Sequence, residues 1–319
     1  GKVIYTNFLD EDGGVHADLT ISRLGVDSYR VVTGGADGNR DWVTLRNYRD
    51  DNGLNADINI RTHDIATLGL WGPKAVNALG NFIDPNEIDI QNFPFVTAKN
   101  LTLNLSGGKK VDVWAARISY VGESGWEIYF NNNKDDGLAL YDSLLEVGVV
   151  PVGIETYANS RRLEKSFRLQ GADLETEYTA IEAAIQRPLV KEADFHGKAA
   201  HLSHREEDPC AILCTMTLDD LNVSGVPRYP VGISPIIDPA TGEVPVDSKG
   251  RRSYTTGMSY CPSIKKFVVM GYLPKELAIQ GKQLLIEYFN EDGDGIYPIT
   301  VQIVGKGSLY DPNNERVRS

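Results

Sequence analysis

Val15-His-Ala-Asp-Leu-Thr-Ile-Ser22 alternates strictly, with Val15, Ala17, Leu19 and Ile21 apolar and His16, Asp18, Thr20 and Ser22 polar. A period of two is that of a half-buried β-strand, so Asp18 is expected on the polar face beside His16 and Thr20. The cluster Asp10-Glu-Asp-Gly-Gly14 before it is a turn, and Lys2-Val-Ile-Tyr-Thr-Asn-Phe-Leu-Asp10 reads as a strand running into that turn. Downstream, Ser28 to Val32 is a second strand. Thr33-Gly-Gly-Ala-Asp-Gly38 is then a loop, and Asp41 to Tyr48 a helix with Asp41 near its N-terminus.

The mixture continues. Ile58 to Trp71 has strand character, followed by Gly72-Pro73 and a short helix through Leu79. Ala115 to Tyr120 and Trp126 to Phe130 read as strands around the loop Val121-Gly-Glu-Ser-Gly125. Leu138, Tyr141, Leu144 and Leu145 have helical spacing closed by Gly148, and a further helix is expected from about Glu155 to Phe167. Past the charged run Arg205-Glu-Glu-Asp-Pro209 the pattern becomes all-β. Ile212–Leu218, Tyr254–Ser259, Phe267–Tyr272, Leu284–Phe289 and Ile299–Val304 are apolar runs divided by turn residues, as in a small barrel or sandwich. Two domains are therefore expected, residues 1–205 and 206–319.

Composition narrows the function classes. The 319 residues carry 32 Lys+Arg against 44 Asp+Glu, a net charge of −12, which repels polyphosphate and argues against nucleic acid as a partner. No apolar run is long enough to span a bilayer. Cys210, Cys214 and Cys261 form neither an even framework nor a C-x-x-C pair, so they read as buried or incidental thiols in a reducing setting. The chain begins at Gly1 with a strand already under way, which suggests a piece of a longer polypeptide.

Several constellations could carry chemistry. The glycine-rich loop 34–38 stands where a phosphate turn would, but its spacing matches no phosphate fingerprint, so it reads as a plain turn needing positive φ. Asn290-Glu-Asp292-Gly-Asp294-Gly295 resembles half of a calcium loop but has Val301 at the twelfth position, and reads as a hairpin turn. His201 and His204 could share a helix face, most simply a solvated one. No metal site is assigned. Asn100-Leu-Thr and Asn104-Leu-Ser match the glycosylation pattern, which means little without a signal peptide. The carboxylates say more. Asp18 has its polar face, and Glu123 and Glu127 frame Tyr120-Val-Gly-Glu-Ser-Gly-Trp-Glu127 with Tyr120 and Trp126 as aromatic company. A carboxylate beside aromatic walls can take two parallel N–H donors from a planar heterocycle.

Gly1 to Thr20 resembles the segment around the catalytic aspartate of folate-dependent aminomethyltransferases, the T-protein family of the glycine cleavage system. The resemblance runs on through Leu70-Trp-Gly-Pro-Lys-Ala75, Arg117 to Glu127, Arg161-Arg-Leu-Glu-Lys165 and Phe195-His-Gly-Lys198. Tyr254 to Pro274 and Ser308-Leu-Tyr-Asp-Pro312 look closer to the folate-binding half of dimethylglycine oxidase and the dimethylglycine and sarcosine dehydrogenases. That resemblance implies an α+β fold, with mixed sheets and helices around a folate cleft, a C-terminal β-barrel-like domain and a further N-terminal portion in relatives.

The resemblance also implies tetrahydrofolate capturing an aminomethyl or iminium carbon to give 5,10-methylenetetrahydrofolate. It carries the catalytic aspartate onto Asp18, the pterin-binding glutamate onto Glu127, pocket tyrosines onto Tyr120 and Tyr5, and an arginine facing the folate tail onto Arg162. For Arg162 the alternative is a structural ion pair with Glu164 or another acid, and for Tyr5 plain packing. Ser166 departs from the oxidase pattern, which has glycine there. A flavin would belong to an upstream segment or a separate subunit, and the expected partner is a flavin-dependent amine oxidoreductase domain or subunit. The setting implied is cytoplasmic, or the mitochondrial matrix in a eukaryote. The competing readings are a stand-alone glycine-cleavage aminomethyltransferase, a folate-dependent demethylase, and a catalytically silent regulatory or assembly relative.

Overall fold

The computed structural model describes residues 1–218, 233–290 and 293–319. The chain divides into two compact units. One comprises residues 1–6, 18–152 and 313–319, and the other residues 7–17 and 153–312.

The first unit holds two sheets. Strands β1 (Val3–Leu9), β2 (Val15–Arg23) and β3 (Tyr29–Thr33) form a three-stranded sheet in that order, with β1 and β2 each extending beyond this unit. β4 (Ile65–Trp71), β5 (Ala98–Asn104), β6 (Lys110–Ala116) and β7 (Gly125–Asn131) form a second sheet in the order β4-β7-β6-β5. Its pairs are all antiparallel. Helices α1 (Gly38–Asp51), α2 (Ala75–Leu79), α3 (Pro85–Ile88) and α4 (Lys134–Glu146) complete the unit. The core lies on one face of the second sheet, where Leu101, Leu103, Val111, Val113, Trp126 and Ile128 meet Leu79, Ile88, Phe93 and Leu140. Each of those strand residues is an alternate position, so the intervening side chains of β5, β6 and β7 stand on the opposite face.

The expected strand from Ala115 to Tyr120 is displaced. β6 begins at Lys110 and ends at Ala116, because Arg117 turns inward. Its guanidinium is buried, donates to the carbonyls of Ile88 and Phe93 at 2.9 Å each, and stacks 5.0 Å above the Trp126 ring. This anchors the loop that carries Tyr120.

The second unit contains α5 (Arg162–Glu164) and α6 (Lys198–Glu206), with β8 (Ala211–Leu218), β9 (Ile236–Ile237), β10 (Thr255–Cys261), β11 (Lys266–Pro274), β12 (Gln283–Asn290) and β13 (Gly293–Val304). The strand order is β10-β11-β8-β13-β12-β9. The ends of this sheet meet: Pro235 bridges Tyr254, Thr255 donates to Ser234 at 2.9 Å and Ile236 to Ser253 at 3.2 Å. Among the described residues these links curl the sheet toward the barrel-like architecture expected from the C-terminal sequence. β12 and β13 pair down to Asn290 opposite Gly293, while Glu291 and Asp292, at the centre of the calcium-loop look-alike, lie outside the described residues.

The compact units do not follow the expected boundary at 205/206. Residues 153–205 belong with the barrel strands, and side chains explain why. Tyr310 donates its backbone N–H to Glu164 at 3.0 Å, and Lys165 Nζ reaches the carbonyls of Asp311 at 2.7 Å and Tyr310 at 3.2 Å. The Arg161–Lys165 motif and the Ser308–Pro312 motif are thus two halves of one clasp. The helix expected over 155–167 is present over 155–164, as a π-helix at Glu155–Arg161 that runs into α5. Ser166, standing where the oxidases have glycine, adopts φ 53°, a left-handed conformation that favours glycine, and its Oγ accepts from Thr215 at 3.0 Å.

Two smaller expectations change. His201 and His204 lie on α6, but His201 is buried against Phe195 rather than solvated. In the loop 34–38 none of the three glycines has positive φ. A Cβ at Gly34 would stand 2.6 Å from the Asp37 carboxylate, so a side chain there would displace that carboxylate.

Candidate functional site

Asp18 occupies β2 as the alternation predicts, half-buried between buried Ala17 and Leu19. The pattern slips one turn of the pleat later, where Ser22 is buried and Ile21 is not. Tyr5 Oη donates to Asp18 Oδ2 at 3.1 Å, so β1 and β2 bring together two of the residues singled out in the sequence. Burial pushes the Asp18 carboxyl above the usual aspartate range. The Tyr5 hydrogen bond opposes this, and the carboxylates of Asp37 and Asp41 at the start of α1 add to it. That acidic helix start also disposes of any phosphate role for the glycine loop.

Glu127 stands on β7 between two small neighbours, Gly69 of β4 and Ala116 of β6, directly opposite it in the ladders. Gly69 is small for a reason. A Cβ there would lie 2.0 Å from the Trp71 ring, which folds across it and is held by its Nε1–H donating to the Ile118 carbonyl at 2.8 Å. Tyr129, two residues on and therefore on the same face, donates its hydroxyl to Glu127 Oε2. Burial pushes the Glu127 carboxyl up, and the Tyr129 bond works against that shift. Trp126, expected as an aromatic wall, is instead fully buried in the core, because adjacent strand residues face opposite ways. The walls are Trp71 and Tyr129. Counting two residues from Glu127, rather than one, finds Tyr129 in the sequence.

In β2, Asp18, Thr20 and Ser22 share a face, with Thr20 paired to Val32 and Ser22 to Arg30 of β3. The Arg30 guanidinium lies 4.2 Å over the Trp114 ring and 5.6 Å over Tyr129, and Trp114 and Tyr129 are 5.1 Å apart. Arg30 of β3 thus reaches across to Trp114 and Tyr129 of the second sheet, and Arg30 and Trp114 are two residues that sequence reasoning missed. Tyr120 is half-buried in the loop between β6 and β7.

Arg162 belongs elsewhere. It is completely buried in the second unit, where Nη1 pairs with Asp173, Nε donates to the Ala158 carbonyl at 2.9 Å and Nη1 also reaches the Phe167 carbonyl at 3.1 Å. Gly257 makes room for it, since a Cβ there would approach Nη2 to 2.5 Å. The expectation of an arginine presented to a folate tail is corrected: this guanidinium has no exposed surface to present. The weighed alternative of an ion pair holds, but with Asp173, while Arg161 takes Glu164 at 2.6 Å.

Comparison with known proteins identifies the family to which this α+β fold belongs. Residues 1–192 match the family described as the GCVT N-terminal domain, and the chain belongs to that family. It is 31% identical to an aminomethyltransferase of Symbiobacterium thermophilum, over 86% of this chain and 69% of that protein. It is also 29% identical to human mitochondrial dimethylglycine dehydrogenase, over 99% of this chain but only 34% of the relative. The chain thus spans about a third of the length of the dimethylglycine dehydrogenases it matches. The glycine cleavage system aminomethyltransferase T of Bartonella henselae superposes with a TM-score of 0.74 at 22% identity, covering 95% of this chain and 75% of that one, which supports the fold. Among the described residues no helix is long and apolar enough to cross a membrane.

Proposed function

We propose that this chain transfers a one-carbon unit to tetrahydrofolate, from an aminomethyl or iminium donor of the kind that dimethylglycine or sarcosine oxidation yields. The observation that carries the reading is the setting of Glu127: a half-buried carboxylate between Gly69 and Ala116, walled by Trp71 and Tyr129. Those residues fit a pterin. Two carboxylate oxygens suit two adjacent N–H donors, flat rings suit a flat heterocycle, and the small neighbours leave space between them.

Tetrahydrofolate, when bound, supplies the nitrogens that take up the carbon to give 5,10-methylenetetrahydrofolate with release of the donor amine. The protein's own residues do the rest. Glu127 orients the heterocycle, and the hydroxyl that Tyr129 donates to it opposes the upward pKa shift that burial causes. Asp18, with its raised pKa, is suited to accept the proton released as a nitrogen is alkylated, and its charge favours positive charge developing beside it. The Tyr5 hydroxyl fixes the rotamer of Asp18.

Supply of the donor carbon by a flavin-dependent amine oxidoreductase, on another segment or a separate subunit, belongs to the same reading. It is supported by the match to dimethylglycine dehydrogenases across nearly the whole of this chain. The test is Asp18→Asn in a donor-coupled assay. Tetrahydrofolate affinity should stay within a few-fold while transfer slows by roughly 10²–10⁴. Equal turnover by the variant and the parent would remove Asp18 from the mechanism.

A further inference from the structure

Beyond Tyr129 the site face opens into a groove of about 740 Å³, lined by Arg30, Asn100, Thr102, Trp114, Tyr129 and Asn131 among others. A second hollow of about 430 Å³ also borders Arg30 and Trp114. Of the other charged groups along the larger groove, Arg61 and Asp112 have partners, and Glu87 adds a second carboxylate to the lining. Arg61 is bonded to Asp64 at 2.6 Å, and Asp112 accepts from Thr102 at 2.6 Å. Arg30 differs. Among the described residues no carboxylate bonds it, and its buried Nη1 makes no hydrogen bond. The guanidinium is stacked over Trp114 and partly removed from water, and this desolvation lowers its pKa from the ordinary arginine value.

A stacked, partly desolvated cation lacking its anion is costly to keep, and a carboxylate entering the groove would relieve that cost. We propose that Arg30 anchors a carboxylate of the glutamyl portion of tetrahydrofolate, which lies in this groove. The proposal rests on the folate reading above and extends it. Tyr129 joins the two regions, with its hydroxyl on Glu127 and its ring bordering the groove and Arg30. A ligand held at Glu127 by its heterocycle would pass Tyr129 on its way to Arg30. The groove is far roomier than a small amino-acid donor requires, and Asn100 and Asn131 offer side-chain amides to the amide links of a glutamyl chain.

The experiment is equilibrium binding to the full chain and its Arg30→Gln, Arg30→Lys and Glu127→Gln variants. Four probes are used: tetrahydrofolate, its triglutamate, the tail-less 6-methyltetrahydropterin, and sarcosine as a small carboxylate-bearing donor. Arg30→Gln should weaken tetrahydrofolate roughly ten- to a hundredfold and the triglutamate at least as much, while 6-methyltetrahydropterin binds unchanged. Arg30→Lys should fall between Arg30→Gln and the parent. Glu127→Gln should weaken both pterins. Equal losses for tetrahydrofolate and the tail-less probe in Arg30→Gln, or no loss for either, would overturn the proposal. So would a loss confined to sarcosine, which would give Arg30 to the donor's carboxylate. If Glu127→Gln leaves every affinity unchanged, the folate reading itself fails and takes this inference with it.

Discussion

Replacing Arg162 with methionine separates a buried structural cation from a ligand-binding one. Arg162 and Asp173 are both wholly buried, and the substitution would leave the Asp173 carboxylate in the interior with only the Leu169 N–H at 2.9 Å and the Thr256 hydroxyl to satisfy it. Removing one partner of a buried pair typically costs about 3–5 kcal/mol. The cavity beside Gly257 that the guanidinium now fills adds to this, and the two hydrogen bonds that remain on Asp173 subtract from it. Amides of β8 and β11, which pair across seven residues beside this site, should therefore exchange roughly two to four powers of ten faster through unfolding of the second unit. Trp42, Trp71, Trp114 and Trp126 all lie in the first unit, so tryptophan fluorescence gives a separate reading of whether that unit is intact. Tetrahydrofolate affinity, measured well below the unfolding transition, should be unchanged. A variant that keeps its exchange protection but loses folate affinity more than tenfold would refute this placement and return Arg162 to the ligand.

Other perturbations follow from the same geometry. Asp18 has its folded pKa raised above 3.8, so between the unfolded and folded values the folded state binds more protons and stability falls as pH rises through that window. Asp18→Asn escapes that loss. Its melting temperature should exceed the parent's at pH 7, with the gap closing as pH drops toward 3.8, and a gap that widens in acid would contradict the burial argument. Tyr129→Phe removes the donor that restrains the Glu127 pKa, so the acid limb of pterin binding should move to higher pH; coincident limbs in titrations of both proteins would show that the bond has no such effect. Burial pushes the Cys214 thiol up to about 12 and the Cys261 thiol up as well. In the folded chain at pH 8 both should react with a thiol reagent far more slowly than half-buried Cys210, and labelling of all three at one rate would count against their burial.

Strand periodicity made Asp18 legible, since one buried face leaves its polar neighbour no other direction. The same rule applied at Glu127 excludes Trp126 and selects Tyr129, although contiguity in the motif drew the eye to Trp126 first. The curled C-terminal sheet followed from evenly spaced apolar runs. Other features depend on long-range partners that local pattern does not encode. Arg162 is a buried cation only because Asp173, Thr256 and Gly257 converge on it from separate segments. The unit boundary departs from 205/206 because the Glu164–Lys165 backbone and side chains bind residues 308–311, more than 140 positions away. Arg30 carries no motif, and only the register of β2 with β3 and the reach of its side chain over Trp114 reveal it.

The central claim is that Glu127 holds a pterin. It is tested most directly by an anaerobic titration of the chain with tetrahydrofolate, followed by tryptophan fluorescence, beside Glu127→Ala. Trp71 folds across the glycine opposite Glu127, and Trp114 lies 5.1 Å from the tyrosine bonded to it, so occupancy should register in the signal. The account predicts saturable binding in the parent and a loss of at least about tenfold in the variant. Saturation of both at the same concentration, or a folded parent that does not bind at all, would contradict it.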